Sequence, residues 1–374
     1  MNERIGSFEA LSLAPPPAPL PIAPPSVVGA SVVGVSVVMV VYMTGPVLRD
    51  SITLVLSDPL VDEFVIVDNG SPPKVAARLQ ALGRKHPRVR LVQGHGNIGF
   101  AQGANLGAEV ARGRSLVFLN PDALLAPDCI QSLIETARGQ ASPCVVGACV
   151  LNPDGSEQRG GRRGEVTPVT TLMSLSHLAL NIRGLRRFEI HREDEPRPAS
   201  PIPVETISGA CFYITRKDFD ALGGFDDGFF LHVEDIDFCW RARQQGGTVL
   251  FDPGARVIHL GSTSQTHPMV VEFHKGRGLV RYFIKRADNP WRFALAWGLS
   301  PLIMLAAVAR PLLRRVSGRQ KGAAAGSGDG WKDAGPREGG RRGLAELLAD
   351  PASGLDQPVQ VQTRLDAGPV QHVD

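Results

Sequence analysis

Between residues 35 and 119 the chain repeats one pattern, a short apolar run followed by a longer stretch of helical character. The apolar runs fall at 35–42, 64–67, 89–92 and 116–119, and the helical stretches between them at 46–57, 73–84 and 101–112. Runs of Val, Ile, Leu and Phe without polar alternation are what a strand buried on both faces requires. Strand–helix–strand repeats of this length join parallel neighbours, because a parallel pair needs a crossover connection. The pattern predicts an α/β fold, a Rossmann-like, mostly parallel sheet with flanking helices. Ligands of such sheets bind outside the carboxyl ends of the strands.

The ends of the chain read differently. Seven prolines lie between Pro15 and Pro25, and they can build neither a ladder nor a helix, so 1–30 is expected to be a flexible leader. From Ser26 to Met43 there are 18 residues without a charge, the lower end of a membrane-spanning length. Seven of them, from Val32 to Val41, are valines, and β-branched residues favour a buried first strand instead. No basic segment directly precedes the run, which argues against a signal peptide. Residues 31–290 are therefore read as the folded domain and 291–316 as an apolar helix. Residues 317–374, dominated by Gly, Ala, Gln and charge, are read as a disordered tail with a short helix at 343–349. The 40 basic and 37 acidic residues leave a net charge of +3, which gives no footprint for nucleic acid. Five cysteines form neither a CxxC pair nor a Cys/His cluster. That excludes zinc modules and disulfide scaffolds and fits a reducing, cytoplasmic setting.

Gly94-His95-Gly96-Asn97-Ile98-Gly99 matches GxGxxG, follows an apparent strand and opens an apparent helix, with Asp122 beyond it. This is the context of a dinucleotide site, so a nicotinamide-dependent dehydrogenase is one reading. Against it, the strand is the third of its series, and the acids at 234–237 are left unused. The same glycines also serve as a plain strand-to-helix turn.

Acidic residues recur where strands end. Asp68 closes Val65-Ile66-Val67, Asp122 follows Phe118-Leu119-Asn120-Pro121, and the block 223–241 carries Glu234, Asp235 and Asp237 before Arg241. Singly these have plain explanations in turn chemistry, helix capping and an i,i+4 ion pair. Together, at the carboxyl edge of a parallel sheet, they suit a hard divalent cation held by carboxylates and substrate phosphates.

In this order the motifs resemble glycosyltransferase family 2, in particular its bacterial rhamnosyltransferase-like members. They are the opening strand before Tyr42, Val67-Asp68-Asn69-Gly70-Ser71, Asn97-Ile98-Gly99-Phe100-Ala101 with Asn105, and Asn120-Pro121-Asp122. Ser208-Gly209-Ala210, the block 223–241 and Val257-Ile258-His259 complete the series. The resemblance covers about 34–285 and implies a GT-A fold, a nucleoside-diphosphate sugar donor and inversion at the anomeric carbon. By position, it implies that Asp68 and Tyr42 line the nucleotide pocket. Asn97, Gly99 and Asn105 would shape the turn beside the nucleotide, and Asp122 and His259 would hold Mg²⁺ or Mn²⁺ on the diphosphate. Asp235 would be the general base, with Asn69, Asn120, Ser208, Gly209, Glu234 and Arg241 in the substrate-binding set. Asn120 stands where the usual first acid of the metal motif would be, so metal affinity rests on Asp122 and the donor phosphates. A weak or dispensable metal stays open. dTDP-rhamnose is the first donor implied, with a cell-surface polysaccharide or lipid-linked glycan as acceptor. A degenerate sugar-nucleotide-binding protein without turnover is the non-enzymatic alternative.

Two further stretches bear on partners. Arg159, Arg162, Arg163, Arg183, Arg186 and Arg187 crowd 159–187 with few acids, which predicts a solvated loop or an acceptor-side flap meeting phosphate or anionic lipid. Phe293 to Ala309 is uncharged for 17 residues and has basic residues at both ends. That symmetry suits a segment lying on the inner face of the cell membrane better than a span, with packing on the domain as the alternative.

Overall fold

The computed structural model describes residues 34–175, 183–261 and 266–316. The leader, the tail and the helix expected at 343–349 lie outside the described residues. Strands β1 (Val35–Val41), β2 (Val61–Asp68), β3 (Val89–Val92) and β4 (Ser115–Leu119) pair in parallel in the order β3-β2-β1-β4. Helices α1 (Val47–Ser57), α2 (Pro73–Lys85) and α3 (Phe100–Val110) make the crossovers. All seven residues of β1 are buried, and its alternate side chains enter two separate clusters. Val38 and Val40 face α3, while Val37, Met39 and Val41 face α1 and α2. The valine run is thus a central strand. α3 approaches it closely because its inner face is Ala and Gly; a Cβ at Gly107 would fall 2.5 Å from Val38 Cγ1.

The second half adds β5 (Ala123–Leu125), α4 (Cys129–Ala137), β6 (Cys144–Leu151), β7 (Arg162–Arg163), α5 (Pro168–Leu175) and a 3₁₀ turn (Arg183–Phe188). There follow β8 (Ile202–Pro203), β9 (Thr206–Ile207), β10 (Cys211–Thr215), α6 (Arg216–Ala221), α7 (Glu234–Gln244), β11 (Thr248–His259), α8 (Pro268–Lys285) and α9 (Pro290–Val316). The sheet continues β4-β10-β6-β11-β5, with β8 also on β11, while β7 and β9 pair apart from it. β10 runs antiparallel to β4 and β6, and β5 and β8 run antiparallel to β11. The other six of the nine strands run one way.

α4, β6 and α8 were not expected from the sequence, since they fall outside the strand–helix repeat that guided the reading. Residues 248–259 form one strand, β11. Its register on β6 shifts between Asp252 and Arg256, where Pro253 has no N–H to give to a ladder. The stretch 153–203 carries β7, α5, the 3₁₀ turn and β8.

Candidate active site

The carboxyl ends of β1 and β2 meet where Val41 pairs with Asp68. Tyr42, next along, is half-buried. Asp68 is buried and accepts the Ser71 N–H at 2.8 Å. Asn69 donates its backbone N–H to Val41 O and its Nδ2 to Gly99 O, both at 2.8 Å. Its Oδ1 has no partner among the described residues. Asn97 Oδ1 accepts the Gly99 N–H at 3.1 Å. Gly94, Gly96 and Gly99 have φ of 98°, 68° and 86°, and a Cβ at Gly99 would stand 2.5 Å from Phe230 O. The fingerprint is therefore a turn, clamped between the end of β2 and the loop carrying Phe230.

Asn105 and Arg241, expected as substrate contacts, have their polar groups turned to the 222–227 loop. Asn105 gives Nδ2 to Phe225 O (2.9 Å) and Asp227 Oδ1 (2.7 Å) and accepts the Phe225 N–H at 2.8 Å. Arg241 bonds Gly224 O at 2.7 Å and pairs with buried Asp237 at 2.8 Å. Both fix the segment leading into α7.

Asn120, Asp122 and His259 come together across the β5–β11 pairing, in which His259 lies opposite Ala123. His259 Nε2 is 3.1 Å from Asp122 Oδ1 and 3.3 Å from Asn120 Nδ2. On its other side Nδ1 lies 2.7 Å from Gln158 Oε1, and Gln158 Nε2 donates to His259 O at 2.9 Å. An amide oxygen can only accept, so Nδ1 carries a proton. Nε2 then faces the Asp122 carboxylate, with the Asn120 amide beside it. Among the described residues no group of three His, Cys, Asp or Glu could hold a metal. The protein thus offers Asp122 and His259 as two converging donors with Asn120 beside them, a partial shell of the kind that substrate phosphates complete.

The second acidic group lies on the other side of Ser208-Gly209-Ala210. Ala210 O accepts the Asn120 N–H at 2.8 Å, and the Gly209 N–H donates to Asp235 Oδ2 at 3.2 Å. Ser208 gives its N–H to Gly161 O at 2.9 Å, and its hydroxyl accepts from Ala210 N at 3.2 Å. Asp235 Oδ1 accepts the Ile236 N–H at 2.8 Å, and Oδ2 is ion-paired with Arg163. Ahead of it, His232 and Val233 both have left-handed backbone, with φ of 64° and 74°. For a β-branched residue this is strained, and it turns the chain so that α7 starts on two carboxyls at the positive end of its dipole. Glu234 is buried; that burial, then the neighbouring Asp235, push its carboxyl up to about 8.

In the arginine-rich stretch the first three arginines are paired, whereas Arg187 is exposed. Arg159 pairs with Glu189 and Glu193, Arg162 is buried against Glu157, and Arg163 holds Asp235. The acids that neutralise the first two come from outside the arginine cluster itself or from its far end. Sequence reasoning missed Arg163 and Gln158 as site residues. Arg163 was visible only as part of a basic run, and nothing in the sequence marks Gln158.

A mixed sheet of this order, with acidic groups at the carboxyl ends of its strands, defines a GT-A glycosyltransferase. A solved structure of GalNAc-T7 with UDP, GalNAc and Mn²⁺ has the same fold, with a TM-score of 0.53 at 18% identity over 73% of this chain; the present chain spans 52% of that one. Residues 36–223 match the model of glycosyl transferase family 2, and the chain belongs to that family. It is 27% identical over 299 residues to the N-acetylglucosaminyl-diphospho-decaprenol L-rhamnosyltransferase of Mycobacterium tuberculosis, covering 74% of this chain and 93% of that one. It is also 25% identical to the low-salt glycan biosynthesis hexosyltransferase Agl10 of Haloferax volcanii, over 50% of this chain and 54% of the relative. The protein is a glycosyltransferase, and the dehydrogenase reading of 94–99 is set aside.

Proposed function

We propose that this enzyme transfers rhamnose, from dTDP-rhamnose, to a hydroxyl of a lipid-linked sugar diphosphate, with inversion at the anomeric carbon. The observation that carries the mechanism is the short bridge of Ser208-Gly209-Ala210, hydrogen-bonded to Asn120 at one end and to Asp235 at the other. It sets two differently furnished carboxylate sites on either side of one backbone segment. The rhamnosyltransferase likeness over 93% of the relative supports the choice of sugar and acceptor.

In this reading Asp235 accepts the acceptor's proton as the new C–O bond forms and the bond to the diphosphate breaks. General base catalysis of this kind contributes ~10²–10⁴-fold. Gly209 N–H and Arg163 fix the rotamer of Asp235, and burial favours the neutral form of Glu234 beside it. Asp122 and His259 would hold Mg²⁺ or Mn²⁺ on the diphosphate, with Gln158 presenting Nε2 of His259 to it. A divalent cation bound there neutralises the leaving group as a Lewis acid. Asp68, Asn69 and Tyr42 face the nucleotide, with Asn97 and Gly99 shaping the turn beside it.

The test is a thermal-shift screen of nucleoside diphosphates and sugar nucleotides, each with and without Mn²⁺ or Mg²⁺, followed by transfer assays on the stabilising donor. Stabilisation by dTDP and dTDP-rhamnose, increased by metal, is the expected result. Stabilisation by another nucleotide alone contradicts the donor assignment.

A further inference from the structure

Helix α9 combines low polarity with high exposure. From Pro290 to Ala309 it is long and apolar enough to cross a membrane by length and composition, and Arg292 is its one charged residue there. Only a stripe is covered. Ala296, Ile303 and Ala307 are buried, at the spacing of a single helical face. The stripe lies against α8, where a Cβ at Gly276 would stand 3.0 Å from Met304 Sδ and 3.1 Å from Ala307 Cβ. Elsewhere the apolar side chains face outward: Trp291 is 76% exposed, Trp297 69%, Leu305 66% and Leu302 50%. Phe273 on α8, one turn before Gly276, is 46% exposed. Large apolar groups gathered in this way mark an interaction surface, not the scattered hydrophobics of an ordinary exterior.

The composition of the neighbourhood selects the partner. From 268 to 316 the chain has nine basic residues against Glu272 and Asp288, and Arg281, Lys285 and Arg286 pair with Asp226, Asp237 and Glu165 of other elements, so nine minus five leaves +4. Indoles with an apolar body and a polar N–H favour the boundary between headgroups and acyl chains. Basic groups beside them favour anionic headgroups. The packing selects the orientation. Because α9 is seated on α8, a spanning placement would draw the charges of α8 towards hydrocarbon, where they are strongly disfavoured.

We propose that α9 is an in-plane anchor that lies in the interface of an anionic bilayer. Trp291 and Trp297 sit at headgroup level, and Leu302 and Leu305 dip below it. The anchor rests on the glycosyltransferase reading for its purpose alone, which is to hold the cleft of Asp235 at the surface carrying a lipid-linked acceptor.

The experiment uses the full chain, without sugar nucleotide. It is mixed with vesicles of phosphatidylcholine plus phosphatidylglycerol, or of phosphatidylcholine alone, and followed by co-sedimentation. Tryptophan quenching is then read with lipids brominated at shallow or deep acyl positions. The protein is expected to sediment with the anionic vesicles, less so at high salt, with shallow bromines quenching more than deep ones. Trp291→Gln and Trp297→Gln, both at exposed positions, should each cut partitioning by roughly 10-fold while circular dichroism stays unchanged. Failure to bind anionic vesicles overturns the proposal, as does partitioning indifferent to both variants. So does quenching as strong at the bilayer centre as at its edge, or a protein dimer that buries these tryptophans in place of lipid. Because no donor or acceptor is present, this result stands or falls separately from the assignment of the reaction.

Discussion

Two adjacent carboxyls at the start of α7 meet opposite surroundings. Asp235 is met by Arg163 and by two backbone N–H groups, whereas Glu234 is buried with Oε2 unpartnered among the described residues. The raised Glu234 value, about 8 against an ordinary 4.5, means that the folded protein holds this proton more tightly than the unfolded chain. Its contribution to stability is therefore complete below about 4.5, declines as pH rises, and is lost past about 8. Glu234→Gln removes that slope, so the melting temperature of the variant should gain on wild type from pH 5 to 8 and hold its lead above, as read by thermal melts across pH. A constant difference would contradict the neutral Glu234. Arg163→Met should lower kcat by roughly 10- to 100-fold by removing a charge-assisted bond to the base, with nucleotide affinity unchanged and Arg163→Lys recovering part of the rate. Asp122, Asp235 and His259 were legible in the sequence because each closes or opens a recognisable element in a fixed order. Arg163 was not, because its partner lies 72 residues away and only the pairing of β7 with β9 brings them together.

At the scale of elements, the turn at 94–99 couples the end of β2 to the loop carrying Phe230. Gly99 ends the glycine turn and starts α3; its O receives Asn69, and the next N–H, of Phe100, bonds Phe230 O at 2.7 Å. A methyl group there meets a backbone carbonyl and a left-handed φ together. Gly99→Ala should therefore cost about 1–3 kcal/mol, seen as a lower denaturation midpoint at unchanged slope. An unchanged midpoint would show that the loop carrying Phe230 gives way freely. The first four strands and three helices were readable because each strand is built on a mainly apolar run and each helix keeps one periodic face. β6 carries the same kind of signal in Cys144-Val145-Val146, but the segment falls after the repeat ends and pairs with strands far along the chain. The strain at His232 and Val233 leaves no mark in composition, since any residue can precede a helix.

For the molecule as a whole, the parallel half supplies Asp122 and the edge proposed to bind the nucleotide, and the half built around β10 supplies Asp235. The strand order that places β10 beside β4 brings both acids to the segment 208–210. The apolar helix α9 packs on the second half, so the half that carries the proposed base also carries the proposed surface for lipid. The proposed division of labour between these halves is tested by assaying sugar transfer and nucleotide binding on the same preparations of wild type, Asp235→Asn and Asp122→Asn. The prediction is that Asp235→Asn binds nucleotide as wild type does and loses transfer by ~10²–10⁴-fold, whereas Asp122→Asn loses metal-dependent donor binding. Near-normal turnover by Asp235→Asn would contradict it.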